Sequence, residues 1–318
     1  MPTKKRQLAP PLSVRRRLQL LAFRDAGGHG GKPPTIIIVA ISSVSQFHYS
    51  LDLGATWVQN AVVGDWRAIT WSSTLSRFVA VGVGIAGYSS DGINWTTQAL
   101  TGTYFAVAWA PELSLFVAIG STTTAPAGLA TSPDGIAWTV RATGLGFNVT
   151  YTKILWNGAL FCAARNGNKS LTSPDGIVWT NGANNDQVGF PGFGWNGTRF
   201  ANGTINGFMG SSLNGSTWTL GNLLPSAAIP NQIGVYLHGK FVFLGSAQDA
   251  AWTSTDGLAW TQGTVPAGAK QGIVWTGTKY LALIPGANVI TSLDGATWVN
   301  GAAYPSGLYV NGGIVINK

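Results

Sequence analysis

Charge is scarce in this chain. Only 9% of its 318 residues are Asp, Glu, Lys or Arg, where an ordinary globular domain carries about 25%. Glutamate occurs once, at Glu112, and cysteine once, at Cys162. Long coiled coils and charged helical bundles are built on Glu, Lys, Ala and Leu, so this composition excludes them. A single cysteine cannot pair within the chain, which excludes a disulfide-stapled scaffold. No run approaches the ~18 consecutive apolar residues of a membrane-spanning helix. The longest apolar stretch, Thr35–Ile41, has only the length of a strand. The first basic residues lead into Pro10 and Pro11 instead of an apolar core, so no secretory signal is expected. Six Asn-x-Ser/Thr triplets, at Asn94, Asn148, Asn168, Asn196, Asn202 and Asn214, then read as turn composition and not as glycan acceptors.

The abundant residues are glycine, at 43, and tryptophan, at 14. Charge, though sparse, is concentrated. Residues 1–34 hold Lys4, Lys5, Arg6, Arg15, Arg16, Arg17, Arg24 and Lys32 against Asp25 alone, a net +7 out of the chain's +8. The rest is nearly neutral. Two regions are therefore expected: a basic N-terminal arm and linker over 1–34, and a body over 35–318. Within the arm, Ser13 is placed to cap a short helix running to about Arg24, which Gly27 and Gly28 would stop. Arg15, Arg16, Arg17, Leu18 and Leu21 would give that arm one cationic and one apolar surface, the features of an assembly anchor.

In the body one pattern recurs. Ser50-x-Asp52-x-Gly54-x-x-Trp57 is followed by Asp91-Gly92 with Trp95, Asp134-Gly135 with Trp138, and Asp175-Gly176 with Trp179. Asn214-Gly215 with Trp218, Asp256-Gly257 with Trp260, and Asp294-Gly295 with Trp298 complete it. Successive Asp/Asn positions lie 39, 43, 41, 39, 42 and 38 residues apart. A strand ending in an aromatic residue precedes each copy: Trp71, Trp109, Trp156, Trp195, Tyr236, Trp275 and Tyr309. Four short strands per ~40 residues without helical periodicity is the pattern of a propeller blade. Asp or Asn bonds its own backbone two residues on, and Gly supplies the positive φ of a tight turn. The expected fold is all-β: a seven-bladed β-propeller of four-stranded blades, with an N-terminal extended or helical arm. Thr35–Ile41 resembles a blade's second strand and Gly307–Val310 a first strand, so the two chain ends would complete one blade together. Gly313–Asn317 also looks like a strand and competes for that place.

The turn Ser50-x-Asp52-x-Gly54-x-Thr56-Trp57 resembles the Asp-box (BNR-type) repeat of sialidases and other propellers. The other six copies resemble a contracted form lacking the residue between Asp and Gly. In that family these are structural turn residues, so the resemblance implies architecture and brings no active site. It also sets a chemical test, because sialidases use an arginine cluster, a tyrosine nucleophile assisted by a glutamate, and an acidic proton donor. The body's only glutamate, Glu112, falls in a turn. Arg67, Arg77, Arg141, Arg165 and Arg199 are scattered, with Arg77 and Arg199 at equivalent places in different repeats. Outside the repeated turns only Asp65, Asp186 and Asp249 remain as carboxylates, a poor source for the acid pair that glycoside hydrolysis uses.

Other chemistries find no constellation either. His29, His48 and His238 are isolated, without metal-ligand spacing. His48, between Phe47 and Tyr49, reads as a packed or hydrogen-bonded histidine, and Cys162 as a small buried hydrophobe. No catalytic, cofactor-binding or metal-binding residue is assigned, and no enzyme is expected. Binding is left. The repeated turns would share one face, and the longer segments Gly120–Gly128, Val140–Lys153, Thr180–Gly192 and Leu220–Gln232 the other. Loops on a rigid scaffold commonly carry recognition, which makes Phe147, Asn185, Asp186 and Phe190 candidates. The composition and contracted Asp boxes resemble virion proteins of tailed bacteriophages. That resemblance implies a tail-associated module in the virion, joined to other tail proteins through residues 1–34 and contacting a host-surface glycan or protein through the irregular face. A lectin-like or glycan-cleaving propeller is the alternative, with a cytoplasmic or extracellular location. Nucleic acid is not favoured, since the body has no basic stripe.

Overall fold

The computed structural model describes residues 36–42, 46–121, 128–142, 149–165, 170–183, 192–204, 207–223, 233–245, 249–284, 286–304 and 314–317. Regular structure among them is all strand, and every strand pairing is antiparallel. Sheet one joins the strands Ile314–Ile316, Ile38–Ser42, Gln46–Ser50 and Val58–Ala61 in that order. Sheet two has six strands: Trp66–Ser72, Arg77–Ser89, Thr96–Ala110, Leu115–Gly120, Leu129–Ser132 and Thr139–Val140. Sheet three runs from Tyr151–Trp156 through Phe161–Arg165 and Ser170–Ser173 to Thr180–Asn181. Sheets four, five and six have four strands each, starting at Gly192–Trp195, Ile233–Leu237 and Gln271–Trp275 and ending at Thr219–Leu223, Thr261–Thr264 and Val299–Ala303. This is a β-propeller.

Seven four-stranded blades were expected, and the sheet count corrects that number. Among the described residues hydrogen bonding yields six sheets, five of four strands and one of six. The difference arises between Trp66 and Val140. Arg77–Ser89 is one continuous strand of 13 residues, laddered to Trp66–Ser72 through residues 77–82 and to Thr96–Ala110 through 83–88. Thr96–Ala110, 15 residues long, pairs backward through 96–103 and forward through 104–110. Two successive repeats are thereby fused into one sheet. Turn count and sheet count differ, at seven and six. The expected arm over 1–34, with Arg15, Arg16, Arg17, Leu18 and Leu21, lies outside the described residues.

The chain ends close the propeller within sheet one. Ile38 pairs with Ile316 and Ala40 with Ile314, and the Ile37 N–H donates to Asn317 Oδ1 at 2.6 Å. Ile314–Ile316 thus fills the place expected of Gly307–Val310, a segment that lies outside the described residues, as does Tyr309. Sealing a sheet from both termini removes the open edge that would otherwise invite pairing with another chain. Innermost strands contact their successors: Ile314–Ile316 touches both Gln271–Trp275 and Trp66–Ser72, and Thr96–Ala110 touches Tyr151–Trp156.

Burial follows each strand's place in its sheet. Second strands lie between neighbouring sheets and are almost wholly buried, as in Leu115–Gly120 and Lys240–Leu244. They therefore read as continuous apolar runs instead of alternating ones. Outer strands such as Val299–Ala303 are mostly exposed and polar or small. Sequential repeats stack through a repeated contact. A Cβ on Gly92 would meet Val39 Cγ2 at 2.8 Å, on Gly135 Val79 Cγ2 at 2.4 Å, and on Gly176 Val117 Cγ2 at 2.6 Å. Gly215 faces Cys162 Sγ, Gly257 faces Ala201 Cβ, and Gly295 faces Val242. Gly54 completes the circuit against Leu281 Cδ1 of the last sheet. Each repeated turn presses its bare glycine onto the second strand of the preceding repeat, so the requirement is steric as well as conformational.

Candidate functional site

The repeated turns are built alike. In the fourth, Ser173 Oγ donates to Asp175 Oδ1 at 2.9 Å and accepts from the Gly176 N–H at 2.8 Å. The same Oδ1 accepts from the Ile177 and Val178 N–H groups, both at 2.8 Å. Asp91, Asp134, Asp256 and Asp294 repeat these bonds, and in the fifth turn the Asn214 amide oxygen does the same work. The Ser–Asp–Gly spacing thus satisfies turn amides that the strands cannot. Indole N–H groups turn back to the glycine carbonyl of their own turn, from Trp95, Trp138, Trp179, Trp218 and Trp298 at 2.8–3.2 Å. In the first turn Leu53, inserted at φ 59°, changes the geometry, and the Trp57 Nε1 has no partner among the described residues.

These carboxylates are held ionised. For Asp52 and Asp91 partial desolvation pushes the pKa up, but the hydrogen bonds together outweigh it and leave both at about 2. Asp134, Asp175 and Asp294 are lowered by the same balance, and Asp256 chiefly by the Leu258 and Ala259 amides. A group already bonded to its own turn and far below neutral pH is poorly suited to donate a proton. The chemistry of these turns is structural.

The other residues singled out in the sequence do not converge. Glu112 Oε2 accepts from Trp156 Nε1 at 2.6 Å. Arg77 Nη1 donates to the Asp134 carbonyl at 2.5 Å, Arg141 Nε to Thr131 Oγ1 at 3.0 Å, and Arg199 Nη1 to Ser211 Oγ at 3.3 Å. Arg67 pairs with Asp65 at 2.7 Å. Each of these four arginines serves a different neighbour, and the Arg165 side chain lies outside those described. Cys162 is fully buried beneath Gly215, and its thiol pKa is driven up by desolvation. Of the two readings of His48 the packed one holds: both ring nitrogens are buried without partners among the described residues, and desolvation lowers its pKa to about 4. Its ring lies 5.3 Å from that of Tyr304, which in turn meets Trp57 edge-on at 5.1 Å. Phe147, Asn185, Asp186 and Phe190 lie outside the described residues.

Two features carry more than the sequence reading gave them: the aromatic strand ends entered it only as blade markers, and Lys153 only as the bound of a loop segment. One is an aromatic course at the ends of the innermost strands, on the side of the repeated turns. Trp71, Trp109, Trp156, Trp195, Tyr236 and Trp275 are all half-buried, each 4.3–4.9 Å from the aromatic ring opposite it on the next strand. The other is cationic. Lys153 sits on the innermost strand of sheet three, open to solvent, yet surrounding protein desolvates its ammonium and lowers its pKa. Arg67, on the innermost strand of sheet two, holds its guanidinium carbon 5.8 Å from the centroid of Phe105. Scattered single residues carry no periodic signal, whereas the repeated turns do.

No protein-family model matches the chain, and no curated protein matches it. Solved structures do. A functionally unknown protein from Desulfotomaculum acetoxidans superposes with a TM-score of 0.63 at 12% identity, covering 89% of this chain and 98% of that one. YCF48 bound to D1 peptide gives 0.60 at 12% identity, over 84% and 85%. The WD40 β-propeller domain of Doa1 gives 0.57 at 11% identity, over 76% and 83%. At such identities the likeness establishes the propeller fold alone.

Proposed function

We propose that the chain is a non-enzymatic binding module of a larger assembly, attached through residues 1–34 and presenting its propeller to a second partner. The observation that carries this reading is the division of charge, with +7 in the first 34 residues and a nearly neutral propeller body. An arm of that charge beside a structurally self-sufficient body suits attachment, because a body whose turns satisfy themselves has no need of it for folding. The neighbouring folds support a binding role: one was solved with a bound peptide and another, at TM-score 0.51, in the nidogen/laminin complex. The composition favours the tail of a bacteriophage virion as the assembly. Removing residues 1–34 should leave a folded propeller that no longer co-sediments with virions, read by gradient sedimentation of particles assembled with the truncated chain. Undiminished incorporation refutes the arm as anchor.

A glycan-directed reading draws on the half-open ring of six aromatic side chains, since sugars stack on such faces. Glycan-array binding without release of reducing sugar would support a receptor-contacting module. Release would instead require a catalytic centre.

A further inference from the structure

Among the described residues sheet one alone is built from both ends of the chain, so the propeller is closed there by non-covalent contacts. The closing ladder is short. Ile38, Val39 and Ala40 pair with Ile316, Val315 and Ile314, and every other described ladder between a first and a second strand is longer. Side-chain packing makes the second contact across the closure. Ile38 and Ala40 cluster with Val274, Leu281, Leu283 and Val289 of sheet six, and Trp57 and Tyr304 join them. His48, the cross-strand neighbour of Ala40, adds its ring 5.3 Å from that of Tyr304.

His48 is the odd member of its position. Two residues before the turn serine, the other repeats carry Gly87, Ala130, Leu171, Gly210, Trp252 and Ile290, none of which can take up a proton. The His48 side chain is completely buried, and neither ring nitrogen has a partner among the described residues. The elements packed against it bring no charge. Gln59, paired with it on the outer strand, is neutral. Sheet six brings aliphatic residues and the Tyr304 phenol, whose hydroxyl is itself buried without a partner, and Trp57 brings an unpartnered N–H. Tyr49, on the same strand, packs to the opposite side, with the cluster of Trp66 and Phe78. An imidazolium here would meet one neutral oxygen and no carboxylate. A buried unpaired charge is far costlier than the neutral ring, so the proton is accepted only if water enters.

We propose that His48 is a pH latch on the closure of the ring: neutral, it seals sheet one against sheet six, and protonated, it parts them while the other sheets stay folded. Opening falls at this place because parting Ile38–Ser42 from Ile314–Ile316 breaks one short ladder and leaves every other sheet whole. The turn carboxylates do not compete in the same range, since Asp52 and Asp91 stay ionised down to about pH 2. The latch is independent of residues 1–34 and of what the propeller binds, so loss of the anchor reading leaves it intact.

The test is hydrogen–deuterium exchange of the full chain, read by mass spectrometry at about pH 7 and about pH 4.5 and corrected for the intrinsic pH dependence of exchange. Peptides covering residues 38–61 should lose protection about tenfold or more at the lower pH, because the opened state binds the proton more tightly. Peptides covering 161–173 and 200–212 should keep theirs. His48→Leu places at this position the residue that Leu171 supplies in another repeat, and should abolish the difference. Tyr304→Phe removes the neighbouring phenol and should retain it. Protection lost evenly over all sheets, no loss at residues 38–61, an undiminished loss in His48→Leu, or its disappearance in Tyr304→Phe would each overturn the latch. Should His48→Leu fail to fold, the regional pattern in the unaltered chain and the Tyr304→Phe result still decide.

Discussion

Replacing Gly135 by alanine tests the contact that stacks one repeat on the next. Gly135 has φ 75°, where an L-residue loses about 1 kcal/mol to the clash between Cβ and the carbonyl oxygen. The new methyl would also stand 2.4 Å from Val79 Cγ2, and Val79 is fully buried. A β-branched side chain within a strand has little rotameric freedom to retreat, and overpacking of this kind costs about 1–3 kcal/mol. The expected total is about 2–4 kcal/mol. Gly158 provides the control: its φ is 96°, but a Cβ there meets nothing within 4 Å. Gly158→Ala should therefore cost only the conformational part, about 1 kcal/mol. Equilibrium urea unfolding of both variants separates the contributions. Adding Val79→Ala to Gly135→Ala should recover part of the loss, because the cavity accepts the methyl and the two substitutions couple. Equal costs at Gly135 and Gly158, or strict additivity with Val79→Ala, would refute the packing argument.

Acid should destabilise the propeller in two steps. His48 has its pKa lowered to about 4 in the fold, so between roughly pH 6.5 and 4 the unfolded chain binds the extra proton and stability falls, by about 3 kcal/mol at pH 4. Asp52 and Asp91, near 2 in the fold, contribute stability that is complete above pH ~4 and is lost as the pH drops toward 2. Urea midpoints measured against pH should show both steps, and His48→Phe should flatten only the first; a variant that still loses stability between pH 6.5 and 4 contradicts the assignment. Cys162, buried under Gly215 with its thiol pKa pushed up, should resist a water-soluble disulfide reagent until the protein is unfolded in urea. Rapid labelling of the native protein would place Cys162 elsewhere than under that turn.

The parts of the fold legible in the sequence are those that a local rule dictates in turn after turn. Ser, Asp or Asn, and Gly must stand at near-fixed spacing for one hydroxyl and one side-chain oxygen to satisfy the turn amides, and glycine must be bare to lie on the preceding repeat. The sheet count was not legible, because it depends on pairing and not on turns. Whether Val83 and Gly84 interrupt a strand or carry it through is decided by a few backbone hydrogen bonds, and the ladder passes through. The closing strand was ambiguous for the same reason. Gly307–Val310 and Ile314–Ile316 are both short and apolar, and only the pairing of Ile316 with Ile38 chooses between them.

Repetition reveals scaffold and hides specificity. A residue kept at equivalent positions around the propeller serves something every repeat needs, as Phe78, Phe116, Phe161, Phe200 and Phe241 do by filling the space behind each turn. A partner bound near the axis breaks that equivalence, since it touches few of the strands facing it. Candidates for recognition are therefore positions where the repeats disagree while the backbone does not. Arg67, Phe105 and Thr152 occupy one such position, bulged in common and unlike in chemistry. Lys153 is another, standing where the corresponding residues Ala68 and Ala106 are small and buried. Substituting those alanines should disturb packing and lower stability, whereas substituting Lys153, whose desolvated ammonium costs the fold stability at neutral pH, should not lower the melting temperature.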